Sequence, residues 1–223
     1  MSMSISGQMI SKLKIVDDNA IVRDSLAETV KDMNISPDVI VDPLGSLENF
    51  LKTQTDDTDA FIFDHQLKQS GYALFNGAEA VASLYKKRPS VLYSAWIYAD
   101  ADTIRFHRRH IPSIIHSIDE IDPDRIAREI EVCLNEFKDE YLPSREPIKT
   151  RVRIESVDRE KTPAVVYAVI PSWNPKEVIR FPLSMVPPSI RSNINEGVRL
   201  WAQVNLGAED HSGLVLDSFE FRG

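Results

Sequence analysis

AFIFDHQL, residues 60–67, opens with four apolar residues in a row and turns abruptly polar at Asp64. An unbroken apolar run fits a strand covered on both faces, as in a parallel sheet with helices above and below. Similar runs lie to either side, at Leu13–Val16, Val39–Val41, Val91–Tyr93 and Ser113–Ile115. Between and after them, Ile21–Met33, Leu47–Gln54, Ala78–Lys87, Asp102–Arg109 and the stretch from Pro123 to Lys138 carry helical spacing. In the last of these, Ile126, Ile130, Cys133, Leu134 and Phe137 recur at intervals of three and four, one apolar stripe for the sheet. Strand alternating with helix predicts an α/β unit, a five-stranded parallel sheet wound on both faces. Cys133 lies on the buried stripe and reads as core.

Open sheets of this kind gather their ligands at the carboxyl ends of the strands. Asp17 and Asp18 stand there after the first strand, Asp64 after the third, Ser94 after the fourth and His116 after the fifth. An acidic pair ahead of a helix also serves as an N-cap, and Asp64 or Ser94 alone fits an ordinary turn. Separate capping needs, however, do not place four strand ends in register with one site. Three carboxylates in one cleft repel one another unless a proton or a cation relieves them. Mg²⁺ suits the task, being a hard ion that takes carboxylate and phosphate oxygens. In such a site Asp64 is the nucleophile of an in-line phosphoryl transfer, and the Ser94 hydroxyl donates to the transferred group.

The motifs are KIVDDNAIVRDSL around Asp17 and Asp18, AFIFDHQL around Asp64, VLYSA around Ser94 and SIIHSID around His116, with 30 residues from Asp64 to Ser94 and 22 from Ser94 to His116. On these motifs and intervals the chain, over residues 12–140, resembles the receiver domain of two-component response regulators. The resemblance implies a flavodoxin-like fold, Asp64 as phosphoacceptor and Ser94 as switch hydroxyl. It also implies Mg²⁺ held by Asp17, Asp18, Asp64 and the backbone carbonyl of Gln66. The phosphoryl group would come from a histidine kinase or a phosphotransfer protein. Such a chain is not an enzyme, beyond catalysing its own phosphorylation and dephosphorylation. Three positions depart from the family. His116 stands where it has Lys, HQLKQSG lacks the usual Met-Pro, and Ser113 occupies the aromatic switch position. A Lys ammonium is charged at any ordinary pH, whereas a histidine is charged only where its surroundings favour it. A pairing of His116 with the cleft or its phosphate is therefore expected at low pH and fades as pH rises through the folded pKa. The departures leave open an alternative, a degenerate pseudo-receiver acting as a constitutive protein-interaction scaffold. A related Asp-nucleophile phosphatase would carry a second Asp two residues after Asp64, where Gln66 stands.

Beyond a linker at 141–148, marked by YLPSREP, the helical period does not return. RVRIESV, AVVYAVI, EVIRF, RLWAQVN and GLVLDSFEF read as five short strands, so residues 149–223 are expected to form a small all-β, barrel-like domain. Tyr167, Trp173, Phe181 and Trp201 fit either its core or a stacking surface. IRFPLSMVPPSI reads as a structured turn with an apolar surface for a protein partner. Residues 1–11 are expected to be disordered.

Residues 1–147 carry 16 Lys and Arg against 25 Asp and Glu, and residues 148–223 carry 10 against 9. An acidic first half without a basic surplus in the second argues against a nucleic-acid partner. His107 and His110 in RFHRRH sit among arginines that repel cations, so they read as a solvated face rather than a metal site. One cysteine excludes an internal disulfide and a multi-cysteine zinc site. With no long apolar segment, a soluble cytoplasmic protein away from the membrane is expected, and a homodimer is open to it.

Overall fold

The computed structural model describes residues 2–94 and 103–221 of the chain. The chain divides into two compact units, one of Met1–Ile97 with His110–Glu140, the other of Tyr98–Arg109 with Tyr141–Gly223. The expected helix at Asp102–Arg109 begins outside the described residues; 103–105 are helical and Arg108–His110 form a 3₁₀ turn. Part of that stretch sorts with the second unit rather than with the first. Arg105 supplies a reason, since its buried guanidinium donates to the carbonyls of His211 (2.5 Å) and Leu214 (3.4 Å).

Two short strands lie within the stretch 1–11. Strands β1 (Met3–Ile5) and β2 (Gln8–Ile10) pair antiparallel, with Met3 opposite Ile10 and Ile5 opposite Gln8. Ser6 and Gly7 both have positive φ, 47° and 81°, as a two-residue hairpin turn of matching twist requires. Ile5 and Ile10 are buried in the core of the first unit, and that burial holds the hairpin down.

The main sheet of this unit contains β3 (Lys12–Val16), β4 (Ser36–Val39), β5 (Ala60–Asp64), β6 (Ser90–Tyr93) and β7 (Ser113–Ile115), in the order β4-β3-β5-β6-β7. All neighbours are parallel. The helices between are α1 (Ala20–Asp32), α2 (Leu47–Thr53) and α3 (Gly77–Leu84), and α4 (Pro123–Phe137) follows β7. On one face, Leu13, Ile15, Ile62 and Ile115 pack with Leu26 and Val30 of α1 and Ile126, Ile130 and Leu134 of α4. On the other, Phe61 and Phe63 meet Phe50 of α2, at ring separations of 6.2 and 5.7 Å. The sheet is thus covered on both sides, which is why AFIF shows no alternation. Cys133 is buried on α4, as expected. β4 starts three residues before the apolar run at Val39–Val41. It is an edge strand, where Pro37 is tolerated, and Val41 beyond it is exposed.

The second unit is built on one antiparallel sheet of β8 (Ile148–Asp158), β9 (Val165–Ile170), β10 (Asn174–Pro182), β11 (Arg199–Val204) and β12 (Leu216–Glu220), in the order β10-β9-β8-β11-β12. The sheet curls strongly, because Phe181 on one border strand and Phe219 on the other stack at 5.2 Å. Inward residues such as Val152, Ile154, Val166, Leu200 and Ala202 form its core. The segment around Leu183–Met185 and the short α5 (Pro188–Arg191) does not present the expected apolar surface: Leu183 and Val186 are buried in that core. Among the described residues no helix is long and apolar enough to cross a membrane.

Candidate functional site

Parallel pairing fixes which side chains meet at the sheet's carboxyl edge. Val16 lies opposite Phe63, and Asp64 lies opposite Tyr93. Asp17, Asp64 and Ser94 therefore emerge next to one another from three adjacent strands. Asn19 caps α1, its side chain accepting from the N–H groups of Ile21 (3.0 Å) and Val22 (3.5 Å). The acidic pair is thus not needed as the helix cap. Asp17 instead accepts the Asn19 N–H on Oδ1 at 2.6 Å, while its carbonyl accepts from Nη1 of Arg23 at 2.7 Å.

Asp17, Asp18, Asp64, Gln66, Tyr93 and Ser94 line one cleft of about 370 Å³, with Asn19, Val22 and Ile118 at its sides. Asp17 is buried, Asp18 exposed and Asp64 half-buried. Asp64 Oδ2 accepts from the Gln66 N–H at 2.8 Å, and the Gln66 carbonyl accepts from the Gln69 N–H at 3.1 Å. Gly77 lets the start of α3 come against this strand end. A Cβ there would fall 2.1 Å from the Asp64 carbonyl oxygen, while the Gly77 N–H donates to the carbonyl of His65 at 3.1 Å.

Burial, reinforced by the negative charges of Asp17 and Asp18, pushes the Asp64 carboxyl up to about 7 against the pull of the Gln66 and His65 N–H groups. Burial likewise lifts Asp17 to about 6; the Asn19 N–H opposes this, Asp18 adds to it and Arg23 opposes it. These are carboxyls in want of positive charge. Among the described residues, though, no three His, Cys, Asp or Glu side chains form a ready metal cage. The bonds above aim one oxygen of Asp17 and one of Asp64 at backbone N–H groups. Chemically the set still fits a hard divalent ion: oxygen donors only, in a cleft whose protonation equilibria are displaced in the direction a cation would reverse.

His116 follows β7 but is exposed and does not line the cleft; Ile118 borders it instead. Ser113 is buried and donates from Oγ to Glu129 Oε2 of α4 at 2.6 Å. Sequence reasoning missed Tyr93. Its hydroxyl is buried, without a hydrogen-bond partner among the described residues, on a side chain that lines the cleft. A tyrosine in a run of buried strand residues signals a polar tip needing a partner, but only strand register shows which site that tip adjoins.

No family model matches the chain, and no curated protein matches it. Among solved structures, a sensor protein from Polaromonas sp. JS666 is similar at 12% identity and a TM-score of 0.43, covering 57% of this chain and 98% of that one. A CheY-like response regulator receiver domain protein from Methanospirillum hungatei JF-1 has 16% identity and a TM-score of 0.42, covering 59% and 98%. A CheY-like receiver domain from Methylobacillus flagellatus has 18% identity and a TM-score of 0.40, covering 55% and 99%. Over its N-terminal part, the chain is similar to receiver domains of response regulators.

Proposed function

We propose that the first unit is a phosphoryl-accepting receiver of a two-component-type signalling system, with Asp64 as its acceptor. The supporting observation is the cleft itself: three carboxylates and the Ser94 hydroxyl at the carboxyl ends of three neighbouring parallel strands. Asp17, Asp18 and Asp64 with the Gln66 carbonyl would hold Mg²⁺, which when bound neutralises charge on the transferred phosphoryl group. A carboxylate oxygen of Asp64 attacks phosphorus in line, and the bond to the donor's leaving group breaks as the acyl phosphate forms. Ser94 donates its hydroxyl to an equatorial oxygen. The donor would be a histidine kinase or a phosphotransfer protein, and a cytoplasmic setting suits such an exchange. Output would pass through protein contacts of the second unit.

The test is incubation of the full chain with acetyl phosphate and MgCl₂. An acid-labile adduct of one phosphoryl group is expected, absent in Asp64→Ala and absent with EDTA. A second reading, a pseudo-receiver that no longer takes phosphate, draws on the exposure of His116 away from the cleft. Wild type that stays unlabelled while His116→Lys also fails to label would establish that second reading in place of the first.

A further inference from the structure

The outward face of the second unit's sheet carries a basic groove that the phosphoryl chemistry above does not use. Antiparallel register sets Trp201 of β11 opposite Arg151 of β8, and Arg199 opposite Arg153. With Lys149, these side chains line a groove of about 550 Å³, walled by Pro171 and Ser172. Four cations on two adjoining strands stand out in a chain of net charge −8. Two have carboxylate partners: Arg153 Nε lies 2.5 Å from Glu155 Oε1, and Lys149 pairs with Glu220. Arg199 forms no ion pair among the described residues. The Arg151 guanidinium lies over the Trp201 ring, 5.3 Å from its centroid. Trp201 is half-buried and is not part of the barrel core. Beside it, the hydroxyl groups of Thr150 and Ser172 hydrogen-bond to each other at 2.9 Å.

We propose that this groove binds a nucleotide, with Arg199 and Arg151 taking its phosphates and the Trp201 ring beside Arg151 taking its base. Each part of the ligand answers a feature. Surplus guanidinium charge calls for an anion with forked oxygens, which phosphate supplies. A flat indole with a guanidinium over it calls for a flat ring. The volume is that of a small-molecule site. A nucleic-acid polymer is the poorer fit, because residues 148–223 are close to neutral overall and the surplus does not extend into a track for a chain of phosphates. The reading is independent of Asp64, so it stands or falls apart from the receiver.

Isothermal titration of the full chain, at low ionic strength with EDTA present, tests it with four probes: ATP, tripolyphosphate, adenosine and a twelve-residue oligothymidylate. ATP is expected to bind at one site, tripolyphosphate about tenfold more weakly for want of a stacking ring, and adenosine without measurable heat. Arg199→Glu should weaken ATP at least tenfold, and Trp201→Leu should bring ATP down to the level of tripolyphosphate. Lys176→Glu, an equal change of charge at an exposed site outside the groove, should leave affinity within twofold. Thermal unfolding of each variant separates lost binding from lost fold, and the ratio of ATP to tripolyphosphate affinity in wild type carries the test if a variant unfolds. No ATP binding at millimolar concentration, equal losses in Lys176→Glu and Arg199→Glu, or oligothymidylate binding tighter than ATP would each overturn the proposal.

Discussion

Asp64 keeps its proton in the folded chain up to about pH 7, against 3.8 as its ordinary value, and Asp17 up to about 6. Between those values the folded protein binds protons that the unfolded chain has released. Stability therefore falls as pH rises from about 4 to about 7 and stays low above it. For Asp64 the loss is on the order of 4 kcal/mol. Urea unfolding at pH 5 and pH 8 should show the decline, and MgCl₂ should recover part of it at pH 8. Asp64→Asn, which keeps an acceptor for the Gln66 N–H, should raise stability at pH 8 by roughly 2 kcal/mol and flatten the profile. Tyr93→Phe removes a buried hydroxyl that has no partner among the described residues. It should be neutral or stabilising by about 1 kcal/mol, and a clear loss would reveal a bond the hydroxyl makes. At Gly77 a methyl group would meet the Asp64 carbonyl oxygen at 2.1 Å. Gly77→Ala should cost about 2 kcal/mol or more and slow labelling of Asp64, since backbone rather than a flexible side chain must move.

Elements were legible in the sequence to the degree that burial wrote itself into pattern. Ser113–Ile115 coincides with β7, and Ala60–Phe63 and Leu13–Val16 lie within β5 and β3, because strands covered on both faces are mostly apolar, the buried Lys14 and Ser113 being hydrogen-bonded exceptions. The edge strand β4 was harder to read: half-exposed and holding Pro37, it has no apolar run of its own, and the run at Val39–Val41 drew the expectation forward. The hairpin of β1 and β2 is short, and its one signal is Ser6-Gly7 between Ile5 and Gln8. Its worth can be measured. Ile10→Ala, at a site with no exposure, should destabilise the first unit by roughly 3 kcal/mol. A disordered end would give no change. In the site, Asp17, Asp18, Asp64 and Ser94 were readable from strand ends alone. The exposure of His116 was not, because the turn after β7 decides it. The basic groove was not readable either. Its closest pair, Arg151 and Trp201, is joined only by the register of β8 with β11.

At the scale of the whole molecule, the two units divide the chemistry by charge and by architecture. Acidic side chains gather at the carboxyl edge of a parallel sheet, and basic ones lie across the outer face of an antiparallel sheet. The second unit's curl is completed by Phe181 against Phe219, both buried, with no backbone pairing of β10 to β12 among the described residues. Such a closure is a seam made of grease instead of rungs. It can part and reseal without breaking a ladder, so amide protons of β10 and β12 should exchange with deuterium well before those of β8, which is paired on both sides. Phe219→Ala should widen that gap in rates, loosening the barrel first along the line where its two borders touch.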